Sequence, residues 1–224
     1  MTLMNFRVSP RTVQQEAVEK LRQAIITGVF KPGERLVEAD LCDMLGISRP
    51  SVREALRSLE SERLIALIPN KGPQVPILTW EQATEIYQVR ALLEGEAASL
   101  AARNITDASI EKMYLALQVF EKAGQENDTA VQIGSTADFY AEILRACNNS
   151  IIEDILSGLL ARINLLRGRS MSMPGRAKVS LNEMTSIFYA LQARDGEAAR
   201  RAAVYHVEQA YASAEKAYKR EPNE

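Results

Sequence analysis

The chain has 224 residues, of which 46% are hydrophobic and 25% charged, and its net charge is −2. Those proportions suit a water-soluble globular protein with room for one large or two modest domains. No apolar run is long enough to span a bilayer and the first dozen residues hold no signal-like apolar core, so no membrane is involved and a cytoplasmic location is expected.

Val13, Ala17, Leu21 and Ile25 recur every four residues and predict a first helix with one face on a core. Gly28 and the Lys31-Pro32-Gly33 turn end that segment. A second short helix is predicted from Glu38 to Leu45, with Leu41 and Leu45 inward and Gly46 as its stop. Ser48 stands before a third, where its hydroxyl is expected to cap free backbone N–H groups, and Pro50 fits the first turn. The inward face of this helix is Val52, Ala55, Leu56 and Leu59; the outward face is Arg49, Ser51, Arg53 and Arg57. Residues 64–68 then form a β-prone run, 69–72 a turn and 74–77 a return strand, a small hairpin with Pro76 at an edge.

From Trp80 onward no strand is predicted. Ile86, Val89, Leu93, Ala97 and Leu100 mark the inward face of a long amphipathic helix. Further helices are expected at about 107–124, 131–147, 150–168, 176–194 and 196–218, and Met171 and Met173 fall in a loop. The expected fold is mainly α: a winged helix-turn-helix in residues 1–78, then an all-helical bundle in 79–224. The first part carries a charge of +2 and the second −4, a mildly basic head on an acidic body. Cys42 and Cys147 lie far apart in apolar-periodic segments and read as buried thiols, not a disulfide or metal pair.

Two short helices around Gly46-Ile47-Ser48, the second with arginines on its outer face, meet the needs of a helix-turn-helix. The first helix braces the second, whose exposed N-terminal turn reaches base edges and phosphates. Pro32-Gly33, Leu36, Glu38, Leu41, Leu45-Gly46, Leu59, Leu64, Gly72 and the run Ser48-Arg49-Pro50-Ser51-Val52-Arg53-Glu54-Ala55-Leu56 closely resemble the winged helix-turn-helix of GntR-family bacterial regulators. The resemblance implies a double-stranded, near-palindromic DNA operator read by a homodimer. It places Ser48, Arg49, Ser51 and Arg53 at the family's DNA-contacting positions, and Lys71 and Gly72 at the wing tip. Arg49 is the candidate for a bidentate guanine contact; Arg53, Ser48 and Ser51 are candidates for phosphate. Ala39 stands where the family often has Arg, which implies one contact fewer. The alternative, that these arginines are an ordinary solvated helix face, is weakened by the cap, turn, core spacing and wing occurring together.

Val89-Arg90-Ala91-Leu92-Leu93-Glu94, Ala137-Asp138-Phe139-Tyr140, Asn148-Asn149 and the run from Ala193 to Ala199 resemble the helical FCD domain of FadR-like GntR regulators, over about residues 80–211 and in a short form like the six-helix VanR-type subgroup. Many such domains hold a divalent metal with one Asp and three His. The corresponding positions here are Thr136, Tyr140, Met184 and His206, and His206 is the chain's one histidine, so no metal and no other cofactor is expected. The resemblance implies instead a small organic effector, a carboxylate or acyl compound, contacted by Arg90, Thr136, Tyr140, Arg162, Met184 and His206.

Plainer readings stand beside these. His206 lies on a face of small residues (Ala199, Ala203, Ala210 and Ala217) and fits a hydrogen-bonded core histidine equally well. Arg90 and Glu94 fit an i,i+4 surface pair. Arg167, Arg169 and Arg176 read as solvated charges around a loop. Catalysis is not expected, since the chain has one histidine, no Cys–His pairing, no phosphate-cradling glycine loop and no carboxylate cluster. Two rivals remain for the second part: a purely structural bundle that only dimerises the DNA reader, and a metal-dependent carboxylate sensor with an atypical site.

Overall fold

The computed structural model describes residues 13–26 and 29–220. Contacts divide the chain into two compact units, residues 1–77 and 78–224. The Gly28 stop and the first dozen residues lie outside the described residues.

Unit one contains α1 (Val13–Ile26), α2 (Glu38–Leu45), α3 (Arg49–Ser61), β1 (Ala66–Ile68) and β2 (Gly72–Gln74). Its core is built from Leu21 and Ile25 of α1, Leu41 of α2, Val52, Ala55 and Leu59 of α3, and Leu36, Leu64, Ile65 and Val75 around them. Gly46 ends α2 in the left-handed conformation (φ 65°), its N–H donating to the Cys42 carbonyl at 2.9 Å, and this closes the tight turn into α3. Arg22 ties α1 to the end of α3 through two bonds to Glu62, at 2.8 and 2.7 Å. The hairpin pairs Ala66 with Gln74 and Ile68 with Gly72, and the segment before α2 adds to its far side through Leu36 N–H to Pro73 O and Gly33 N–H to Val75 O, both 2.8 Å.

Several expectations need correction here. Val13, the first residue of α1, is exposed, since the buried face of that helix begins a turn later at Ala17, and Cys42 is half-buried. Both cysteines are free thiols. The return strand begins at Gly72 and ends before Val75 and Pro76, because Asn70 (φ 64°) and Gly72 (φ 80°) supply the left-handed backbone for a shorter turn. Ser48 sits at the N-cap of α3 without capping it; its hydroxyl meets the Ser51 hydroxyl at 3.0 Å.

Unit two contains α4 (Trp80–Asn104), α5 (Asp107–Glu126), α6 (Thr129–Cys147), α7 (Ser150–Met171), α8 (Arg176–Gln192) and α9 (Gly196–Tyr218). The breaks between helices double as caps: Thr79, Thr106, Asp128, Asn149 and Asp195 each accept a backbone N–H at a helix start. α4 and α9 pack most intimately, and both carry buried alanines, Ala97, Ala98 and Ala101 on α4 and Ala199, Ala203 and Ala210 on α9. Two glycines permit that approach. A Cβ on Gly95 would come within 2.7 Å of Val204 Cγ2, and one on Gly196 within 2.9 Å of the Ser99 carbonyl oxygen.

The inward face of α4 differs from the one its aliphatic spacing predicts. Val89, Leu93 and Leu100 are only half-buried, while Tyr87, Arg90 and Glu94 are buried. The helix is rotated so that a charged pair faces the bundle interior, which a purely apolar count cannot register. α7 extends to Met171, so Met171 belongs to a helix and only 172–175 form the turn.

Candidate functional site

The outer face of α3 presents Arg49, Ser51, Arg53 and Arg57, with Ser51 half-buried and the arginines exposed. The opposite face is sealed: Val52, Ala55 and Leu59 have no accessible surface. Pro50 in the first turn asks for no intrahelical N–H partner, and Ser48 leaves the amides there free to meet an anion at the helix N-terminus. Glu38 of α2 holds Arg53 in an ion pair, the Nε–H of Arg53 shared between its two carboxylate oxygens at 3.0 and 2.9 Å. Glu54 holds Arg57 at 2.6 Å. Arg49 makes no hydrogen bond or ion pair among the described residues and is the guanidinium on this face available for another molecule. At the hairpin tip Lys71 is exposed and Gly72 half-buried.

Inside the second unit a charged cluster replaces the oily centre expected of a helical bundle. Arg90 (0% exposed) donates from Nε to Glu94 Oε1 at 2.7 Å, and its guanidinium lies 5.1 Å from the centre of the Tyr87 ring. Arg167 lies 5.3 Å from the Tyr140 ring centre and donates to Asn164 at 2.7 Å. Arg176 forms a two-pronged pair with Glu183, both bonds 2.7 Å, and His206 Nδ1 meets Glu183 Oε2 at 2.7 Å. The Tyr140 and His206 rings are 6.1 Å apart. Five helices thus converge, α4, α6, α7, α8 and α9.

Burial and charge set the ionisation of these groups. Burial works against the charge on Glu94, but Arg90 and Arg167 outweigh it and hold the carboxyl below its ordinary range. Burial likewise opposes charge on Glu183, and His206 and Arg176 overcome it. Burial lowers the His206 pKa, only partly offset by Glu183, so the imidazole is neutral and its Nδ1–H donates to the carboxylate. Burial and the Arg90 charge pull Arg167 down to about 10, still a cation at neutral pH. Burial pushes both phenols, Tyr87 and Tyr140, up and keeps them neutral.

The metal-ligand pattern does not fit these residues. Thr136 Oγ1 donates to the Gln132 carbonyl at 2.8 Å, and Met184 offers it only a thioether sulfur at 4.0 Å. Glu183 is already occupied by a guanidinium and an imidazole. Among the described residues no group of three or more His, Cys, Asp or Glu could hold a metal ion.

Residues 13–75 match the family described as bacterial regulatory proteins, gntR family, and residues 85–209, more than half of the chain, match the FCD domain. The chain belongs to the GntR family of transcriptional regulators, in its FCD branch. It is similar to the HTH-type transcriptional regulator YdhC of Bacillus subtilis, 28% identical over 190 residues, 84% of each chain. It is also similar to the HTH-type transcriptional repressor RspR of Escherichia coli, 25% identical over 88% of this chain and 86% of that one. The solved structure of E. coli McbR/YncC superposes with a TM-score of 0.83 at 25% identity, covering 93% of this chain and all of that one. These relatives are transcription regulators, not enzymes, and GntR-type helix-turn-helix domains bind DNA. No described helix is long and apolar enough to cross a membrane.

For this GntR regulator the structure gathers three of the six expected effector residues, Arg90, Tyr140 and His206, into one cluster. Thr136 and Met184 are buried against each other, and Arg162 is half-buried on α7. The reading of Arg90–Glu94 as a surface pair is overturned by its complete burial, and that of Arg167 and Arg176 as solvated by exposures of 5% and 6%. Tyr87, Glu94, Arg167, Arg176 and Glu183 were not among the expected site residues. One signal could have exposed part of this: Arg90, Glu94, Ala97 and Ala101 share a helix face whose far end is wholly alanine, and such a face is buried.

Proposed function

We propose that the chain is a ligand-controlled repressor that binds a near-palindromic operator as a homodimer in the cytoplasm. Arg49 reads guanine through O6 and N7 in the major groove, and Ser48, Ser51 and Arg53 fix the register on phosphates. Lys71 and Gly72 bring the hairpin tip to the neighbouring minor groove. The observation that carries this reading is α3 itself, with its aliphatic side sealed and Arg49 exposed and unengaged on the other. A repressor sign is supported by the likeness to RspR, whose description is that of a repressor. Six helices in the second unit support the VanR-type subgroup.

The second unit holds a small organic effector in its buried cluster, with Arg90, Tyr140 and His206 as contacts, Thr136 and Met184 as one wall, and Arg162 at the margin. Binding favours one arrangement of the DNA-reading heads over the other and changes operator affinity by that difference alone. A purely structural bundle would have no reason to keep unpaired guanidinium nitrogens in its centre, since aliphatic side chains would pack there at lower cost.

The test starts by selecting an operator from random-sequence duplex DNA with the full chain. The affinity of Arg49→Ala is then compared with that of wild type by fluorescence anisotropy at several salt concentrations. Loss of a bidentate guanine contact should weaken specific binding roughly ten- to a hundredfold while barely changing binding to unrelated DNA. Equal operator affinities would remove Arg49 from the interface.

A further inference from the structure

We propose that Arg35 is a further operator-contacting residue, which enters the minor groove beside the hairpin tip and makes the protein favour A·T pairs there. This deepens the reading of the first unit as a DNA reader and rests on it.

Arg35 lies outside both the helix-turn-helix and the hairpin, on the short segment before α2. Three backbone bonds fix that segment as a third strand on the free edge of β2: Gly33 N–H to the Val75 carbonyl at 2.8 Å, Val75 N–H to the Glu34 carbonyl at 2.9 Å and Leu36 N–H to the Pro73 carbonyl at 2.8 Å. Arg35 thereby stands opposite Gln74 in an antiparallel bridge. Side chains alternate across such a strand. Leu36 is buried in the core, so Arg35 occupies the other face, exposed, beside Gln74 and, two residues along β2, Gly72. Its guanidinium reaches toward the tip: a Cβ on Gly72 would lie 3.9 Å from Nε and 4.0 Å from Nη2. The Gln74 amide does not compete for that place, since it donates to the Gly33 carbonyl.

The surroundings are electropositive. Arg35 and the exposed Lys71 make no side-chain hydrogen bond or ion pair among the described residues. The adjacent Glu34 belongs to the opposite face, where its carboxylate accepts the Lys31 N–H at 2.8 Å. No Asp or Glu occurs in the sequence between Glu62 and Glu81, a stretch that contains the whole hairpin. On the outer face of α3, by contrast, Arg53 and Arg57 are held by carboxylates. An A·T-rich minor groove is narrow and strongly negative. A guanidinium suits it better than an ammonium, because it is more weakly hydrated and gives up its water at lower cost. A G·C pair places the guanine amino group on the groove floor, in the path of an entering side chain. Arg49 on α3 serves the major groove, so the two arginines read different grooves of one half-site.

The experiment uses the full-length chain and the operator selected from random-sequence duplex DNA. The bases read by α3 are those whose replacement Arg49→Ala no longer senses. Anisotropy titrations at one salt concentration compare the selected operator with versions in which the A·T pairs flanking those bases become G·C or inosine·C. Inosine·C keeps the hydrogen-bonding pattern of G·C in the major groove but lacks the amino group in the minor groove. Wild type should bind the G·C version about five- to tenfold more weakly and recover on inosine·C. Arg35→Ala should bind all three duplexes alike, with the affinity wild type has for the G·C version. Arg35→Lys keeps the charge and should match the salt dependence of wild type while losing most of the discrimination. The proposal is overturned by a selected operator without A·T enrichment beside the α3-read bases, by Arg35→Ala keeping the wild-type discrimination, or by its losing affinity equally on all three duplexes, the mark of a phosphate contact. If wild type prefers its operator through Arg49 yet ignores the flanking pairs, this inference fails and the DNA reader stands. If wild type binds operator and unrelated DNA equally, the reading of the first unit fails with it.

Discussion

Replacing Glu183 with Ala tests whether the bundle interior is organised as an ion network. The carboxylate accepts two bonds from Arg176 and one from His206, each 2.7 Å, with both side chains of the ion pair about 95% buried. Its removal strands a guanidinium in the interior, and breaking a buried pair from one side costs about 3–5 kcal/mol. In a chain of this size each kcal/mol moves the melting temperature by about 2–4 °C, so a fall of roughly 6–20 °C is expected. The double variant Arg176→Met, Glu183→Gln removes both charges and leaves His206 an acceptor. It should recover at least about 2 kcal/mol of the loss, because an apolar side chain of similar volume needs no counter-charge. Urea unfolding followed by helical circular dichroism gives both numbers. If Glu183→Ala costs less than about 1 kcal/mol, or the double variant is no more stable than the single one, the network reading is wrong.

Acid should weaken the fold in two stages. Folded His206 resists a proton that the unfolded chain accepts at its ordinary value of 6.5, so its contribution is full above that pH and is lost as pH falls below it. Glu94 and Glu183, held low in the fold, add a second loss as pH falls below their ordinary 4.5. Urea midpoints between pH 7.5 and 5 should therefore decline in wild type and stay flatter in His206→Gln; a rise in wild type would contradict the assignment. Two glycine substitutions should act with opposite signs in the same assay. Gly196→Ala forces a methyl to 2.9 Å from the Ser99 carbonyl and should cost about 1–3 kcal/mol by prising α9 from α4. Gly158→Ala, on the exposed side of α7 with nothing within 4 Å, should stabilise by about 0.5–1 kcal/mol.

The DNA-reading unit was legible in the amino-acid order because its determinants are local. Helix starts and stops, the Gly46 turn, the spacing of Val52, Leu56 and Leu59, and the hairpin residues all act within a few positions of one another. The six helices of the second unit were legible for the same reason, since Thr, Asp and Asn cap five of them and Pro174-Gly175 marks the break before α8. The interior of that unit was not. Whether Arg90 and Glu94 form a surface pair or a buried one depends on which face of α4 meets α9, and that was decided by glycines and alanines that let the two backbones approach. Arg167 and Arg176 lie on either side of the 172–175 turn in sequence, and only the packing of α7 and α8 against other helices turns them inward. A side chain's charge is fixed by its identity, but its solvation is a property of everything folded around it, so the sequence alone determined the reader and the tertiary structure decided the cluster.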